Sequence, residues 1–227
     1  AYTEHMNTLL MENEEDLDEF RRLLFQKYQE AKPQIIILLG NSAWGLLKKD
    51  LKESWQGVPI LLCAEENFMG SREAYLCKEI ISNEDKRAFQ EDLKDPLFTV
   101  LHVPVFLQET ISLMTDMNPG LSKLQFISDQ RHTSVQLRKE VADLMAHRFP
   151  NLELELVTAG ETSNEEVAAL LESDKSNVGV LFYSWYLKSL QYQNVILTTN
   201  VYRIISNYTS QPIYTLTDAG VEDAGLL

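Results

Sequence analysis

No run of apolar residues in this chain approaches the ~20 needed to span a bilayer. The first residues, Ala1-Tyr2-Thr3-Glu4-His5, have neither the basic start nor the apolar core of a secretory signal. A mature or trimmed chain would read the same way, so export and an anchor elsewhere stay open. Cysteine is scarce. The two present, Cys63 and Cys77, match neither a redox pair nor a zinc site. Both a buried thiol at Cys63 and a Cys63–Cys77 disulfide in an oxidising compartment remain open. The four histidines, His5, His102, His132 and His147, are scattered without a His or Cys partner at ligand spacing, so no metal site is expected.

Catalytic signatures are missing too. There is no G-x-S-x-G elbow and no G-x-G-x-x-G fingerprint. Gly40 to Gly45 has the spacing of a phosphate loop, but Leu46 and Leu47 stand where Lys and Ser/Thr must be. The alternative there is a glycine turn followed by helix–sheet packing. No catalytic residue and no cofactor is expected. His132 beside Asp129 and Arg131 is the one grouping that offers acid–base chemistry. Positive charge is also in deficit: 20 basic against 34 acidic residues leaves a net charge of −14. Such a chain is repelled by nucleic-acid phosphates and anionic membranes, so no nucleic-acid partner is expected. The plain reading of the acidity is solubility.

What is present suits a globular α/β chain. With 227 residues and 44% hydrophobic content it can bury a sizeable core as one large or two small domains. The stretch Leu124 to Thr133 organises the rest. It reads as a buried strand (Leu124 to Ser128), a polar turn, and a helix from Thr133 to Arg148 with Leu137, Val141, Leu144 and Met145 on one face.

Before it, Tyr2 to Met6 suggests a short strand. The acid-rich Glu12 to Asp18 opens a helix whose Leu17, Phe20, Leu24 and Tyr28 share a face. Gln34 to Leu39 is apolar without a break from Ile35 on, the pattern of a strand buried on both faces. A helix follows over Ala43 to Lys52, then a strand over Val58 to Cys63. Phe68 to Asp95 is charged and irregular, with a helix expected over Asn83 to Leu93. Phe98 to Val105 reads as a strand and Gln108 to Met117 as a helix. After the organising stretch, Leu152 to Val157 reads as an edge strand with Glu153 and Glu155 outward. Ser163 and Glu166 form a capping box before Val167, Leu170 and Leu171. Val178 to Phe182 is a buried strand, Asn200 to Tyr208 a helix, and Pro212 to Leu216 the last strand. The β-α-β order predicts parallel sheets with helices on both faces.

In open α/β sheets, ligands bind beyond the carboxyl ends of the strands. Strand-end positions are therefore the candidate ligand contacts: Asn41, Ser42, Glu65, Asp129, Arg131, Trp185 and Asp218. Arg131 suits a carboxylate or phosphate. Trp185, within Tyr183-Ser184-Trp185-Tyr186, either stacks on a ligand or packs a domain face. Asn207-Tyr208-Thr209 matches a glycosylation acceptor, a cheap match.

Several segments together carry a family resemblance. They are Tyr2-Thr3-Glu4-His5-Met6-Asn7, Pro33 to Ile37 with Gly40 to Ala43, Gly57 to Cys63 with its proline, Thr110 to Pro119 leading into Leu124–Asp129, and Pro212 to Gly225. In this order they resemble the type I periplasmic-binding-protein fold, and more narrowly the binding-protein-like ectodomains of bacterial sensor histidine kinases, including hybrid two-component sensors of Bacteroidetes. The resemblance implies two parallel-sheet α/β lobes, residues 1–106 and 107–227, with a cleft between them and with the family's first strand and last elements missing. It implies an unidentified small-molecule ligand and signalling by hinge closure. Its further implications are kinase and transmembrane segments outside this chain, a periplasmic or extracytoplasmic site tethered to the inner membrane, and a homodimer. The rival readings are a free substrate-binding protein of an ABC transporter and an α/β enzyme of unrecognised type.

Overall fold

The computed structural model describes residues 2–172, 176–188, 195–197 and 212–217. The chain divides into two compact units, Ala1–Pro104 and Val105–Leu227. Each is taken by itself.

In the first unit, helix α1 (Glu14–Lys27) begins within the acidic run, with Glu14, Glu15 and Asp16 in its first turn. Asn13 caps it, accepting from the Asp16 amide, and Asp16 returns a bond to the Asn13 amide in a capping box. Strand β1 (Ile36–Leu39), helix α2 (Asn41–Ser54) and strand β2 (Ile60–Ala64) follow. The irregular section holds a two-residue β3 (Phe68–Met69), helix α3 (Arg72–Cys77), a two-residue β4 (Arg87–Ala88) and a 3-10 helix (Phe89–Lys94). Strand β5 (Phe98–His102) completes a parallel sheet of order β1-β2-β5. Tyr2 to Met6, expected as a strand, is irregular, and the helix expected over Asn83 to Leu93 is replaced by β4 and the 3-10 turn. Cys63 and Cys77 are free thiols.

The apolar run at Gln34 to Leu39 is not buried on both faces. Leu38 is buried in a core with Leu17, Trp44, Leu51, Ile60, Leu62 and Phe98. Its neighbours Ile37 and Leu39 are 58% and 75% exposed. In register they continue as the rows Ile37–Leu61–Thr99 and Leu39–Cys63–Leu101, and Leu101 is exposed as well. The reason is topological. The connections β1 to β2 and β2 to β5 step the same way across the sheet. Right-handed crossovers then put their helices on the same face.

The second unit is covered on both faces. Its elements are α4 (Leu107–Met117), β6 (Lys123–Ser128), α5 (His132–Arg148), β7 (Glu153–Thr158), α6 (Asn164–Glu172), β8 (Val178–Phe182), β9 (Tyr186–Lys188), β10 (Val195–Leu197) and β11 (Ile213–Thr215). Four strands make a parallel sheet of order β11-β8-β6-β7, and β9 pairs antiparallel with β10. Along β6, Leu124 and Phe126 join a cluster with Ile111, Met114, Leu137 and Val141 from α4 and α5. Ile127 points the other way, into a cluster with Val167 and Leu171 of α6. Strand β7 lies at the sheet edge, where Glu153 and Glu155 pair with Lys123 on β6. The Ser163–Glu166 capping box is formed: each residue's amide donates to the other's side chain, at 2.8 and 3.2 Å. The helix expected over Asn200 to Tyr208, the Asn207 acceptor and Asp218 lie outside the described residues.

Candidate functional site

The second sheet has a topological switch point. From β6 the chain passes through α5 to β7 on one side, and from β7 it returns through α6 to β8 on the other side of β6. Loops leaving the carboxyl ends of β6 and β8 therefore diverge, and such a place is where open α/β sheets receive ligands. In the first unit, β1-β2-β5 runs in one direction, and the described strands have no such switch.

At the end of β6 the backbone leaves the sheet through Ser128 and Asp129, both fully buried. A buried carboxylate needs partners, and Asp129 has three. Its Oδ1 accepts from the Arg131 backbone amide at 2.9 Å and from the Ser134 hydroxyl at 2.7 Å. Its Oδ2 accepts from Arg131 Nε at 2.9 Å. The bond from Asp129 to the amide two residues on is the local turn that aspartate favours. It turns the chain directly into α5, with Arg131 at the N-cap position.

About two turns further along α5, Arg138 reaches back. Its Nη1 donates to Ser128 Oγ at 2.9 Å and to the Asp129 carbonyl at 2.5 Å. Burial lowers the Arg138 pKa, while the charges of Glu161 and Asp129 work to raise it. From the end of β8, Ser184 comes within 3.2 Å of Ser134, hydroxyl to hydroxyl. Tyr186 lies under the Arg131 guanidinium, 3.9 Å from its centre to the ring. Gly160, in the loop after β7, has φ +91°. The Gln130 amide would lie 3.3 Å from a β-carbon there, so the absence of a side chain lets the two loops approach.

The other candidate residues fall elsewhere or serve differently. Asn41 is buried at the start of α2. Its Nδ2 donates to the carbonyls of Glu66 and Phe68, and its Oδ1 accepts from the amides of Glu65 and Glu66. It clamps the loop that leaves β2. Ser42 is half-buried in the first turn of α2, and Glu65 is half-buried after β2, its carboxylate beside Gly40. Trp185 is 4% exposed and packs with Ile127, Val157, Val167 and Phe182. Asp129 and Arg131 are brought together; Asn41, Ser42 and Glu65 belong to the other unit.

Ser134 and Arg138 were not among the sequence candidates. Their helical spacing from Arg131, three and seven residues on, puts them on the face of α5 that looks back at the strand end. That spacing was the available signal. A hollow lined by Met114, Met117, Leu121, Gly179 and Tyr214 lies at the amino ends of β8 and β11, the wrong end of the sheet for this kind of site.

Neither a protein-family model nor a curated protein matches the sequence. Solved structures do. The chain is similar to an ABC domain from Streptococcus pneumonia in complex with L-Trp, with TM-score 0.51 and 13% identity over 92% of this chain and 62% of that one. It is similar to a conserved domain protein from Vibrio cholerae O1 biovar eltor, with TM-score 0.53 and 12% identity over 93% of this chain and 61% of that one. It also matches an extracellular ligand-binding receptor from Verminephrobacter eiseniae at 16% identity and TM-score 0.48, over 94% of this chain and 53% of that one. The chain thus spans about three fifths of the length of the first two. The fold is α/β, with parallel sheets and helices, of the type I periplasmic-binding-protein-like kind.

Proposed function

We propose that this chain is a small-molecule-binding domain of an extracytoplasmic receptor, without catalysis of its own, and that it takes its ligand at the carboxyl ends of β6 and β8. The observation that carries the reading is the switch point itself. It gathers Asp129, Arg131, Ser134, Ser184 and Tyr186 from the two diverging segments that leave β6 and β8. In its finer form, ligand binding closes the two units on one another and biases a membrane histidine kinase. The solved ABC domain holding L-Trp favours a second form, a free binding protein that delivers its ligand to a permease.

The test is a thermal-shift screen of the purified chain against amino acids, sugars, nucleosides and organic acids. A ligand at a hundred times its Kd adds about 2.7 kcal/mol to stability, a shift that is easily read. If no member of any class raises Tm, the binding-domain reading fails. The full reading frame separates the two forms: downstream kinase segments support the sensor, and their absence beside an export signal supports the transport protein.

A further inference from the structure

Resting on that reading, we infer that the ligand carries a carboxylate and that the two terminal nitrogens of Arg131 receive it. Arg131 is already held on two sides. Its Nε–H donates to the fully buried Asp129, and Tyr186 covers one face of the guanidinium. The side chain nevertheless keeps 27% exposure. Among the described residues, neither Nη nitrogen has a hydrogen-bond partner. A guanidinium has five N–H donors in one plane, so four remain, two of them parallel at its outer end. That pair matches the two oxygens of a planar carboxylate. Because Asp129 and Tyr186 already fix the side chain, little of its rotamer freedom is left to lose on binding.

Charge selects a carboxylate over a phosphate. Among the described residues, the cations at this strand end, Arg131 and Arg138, are set against the carboxylates of Asp129 and Glu161. Two against two leaves the site near neutral, so the net charge of −14 on the whole chain opposes a dianion more strongly than a monoanion. A monoanion with a geometric match to the fork is the oxyanion this site can hold.

Calorimetric titration of the full chain tests this. The probes are C2–C6 monocarboxylic acids and L-amino acids, each run beside its own carboxamide, with neutral sugars and nucleosides as a separate set. The expected result is that at least one carboxylate binds and its carboxamide binds at least about tenfold more weakly. Arg131→Gln loses the same factor for the carboxylate, and Arg131→Lys, which keeps the charge without the fork, loses most of it. Equal binding of acid and carboxamide overturns the inference, as does unchanged affinity in folded Arg131→Gln. Binding confined to the neutral set overturns it while leaving the small-molecule reading intact. No binding by any probe at millimolar concentration overturns both. Should the variants not fold, the comparison of acid with carboxamide on the unaltered chain decides.

Discussion

Asp129 Oδ2 accepts a hydrogen bond from Arg131 Nε at 2.9 Å, and the acceptor is fully buried while the donor reaches the surface. The pair is thus asymmetric: the aspartate belongs to the interior, and its role is to aim the arginine. Replacing Asp129 by Ala takes from the Arg131 amide and Nε their acceptor in a buried place and leaves the Ser134 hydroxyl with Ser184 alone. The expected loss is about 2–4 kcal/mol in urea denaturation. A loss below about 1 kcal/mol would show that the buried turn tolerates an empty acceptor position.

Tyr75 sets an alkaline limit on the first unit. It is 2% exposed, and burial pushes its phenol up to about 12. The unfolded chain ionises this group near pH 10, while the folded chain holds its proton until about pH 12. Stability from Tyr75 is therefore complete below pH 10 and lost as pH rises from there to about 12, with about 2–3 kcal/mol at stake. Tyr75→Phe should flatten that limb in a pH series of denaturant midpoints. At neutral pH it should cost about 1 kcal/mol, because the Gly70 amide loses the hydroxyl it donates to. An unchanged alkaline slope would assign the limb to other groups.

Gly45 lies inside α2, where alanine ordinarily favours a helix by about 1 kcal/mol. A β-carbon there would overlap the Tyr75 ring, which is itself closed in. Gly45→Ala should therefore destabilise, by about 1–3 kcal/mol net of the helix gain. A rise in Tm would mean that the ring yields more easily than its packing implies.

Two neighbouring substitutions in β1 report on its two faces. Leu38→Ala should cost about 2–4 kcal/mol, because it empties a place in the core. Ile37→Thr should stay within about 0.5 kcal/mol, because that side chain is exposed. Equal costs for the two would show the far face covered in solution.

The Leu124 to Asp129 stretch was legible because three independent signals agree there: an apolar run, an aspartate suited to a turn, and an amphipathic helix immediately after. The capping boxes at Asn13 and Ser163 lie close to the helix starts they define, and the Ser163–Glu166 pair could be read directly from its spacing. Local chemistry of this kind needs no knowledge of the rest of the chain.

Trp185 shows where such reading ends. At the strand end it has equal claim to a ligand and to the core, and the packing of α6 over β8 puts it in the core. Asn41 stands at an equally suggestive place, yet the return of β3 alongside it draws all its hydrogen-bonding capacity into the loop after β2.

The sequence by itself determined the alternation of strands and helices, the helix caps and the polar turn after β6, since each depends on residues within a few positions of one another. Tertiary structure alone decided which faces are covered. Gln34–Leu39 and Leu124–Ser128 are both predominantly apolar stretches, but the first unit's crossovers step in one direction and leave Ile37 and Leu39 in the open. In the second unit the crossovers reverse at β6. That reversal buries the strand on both sides, and it also brings Arg131, after β6, against Tyr186 of β9, after β8.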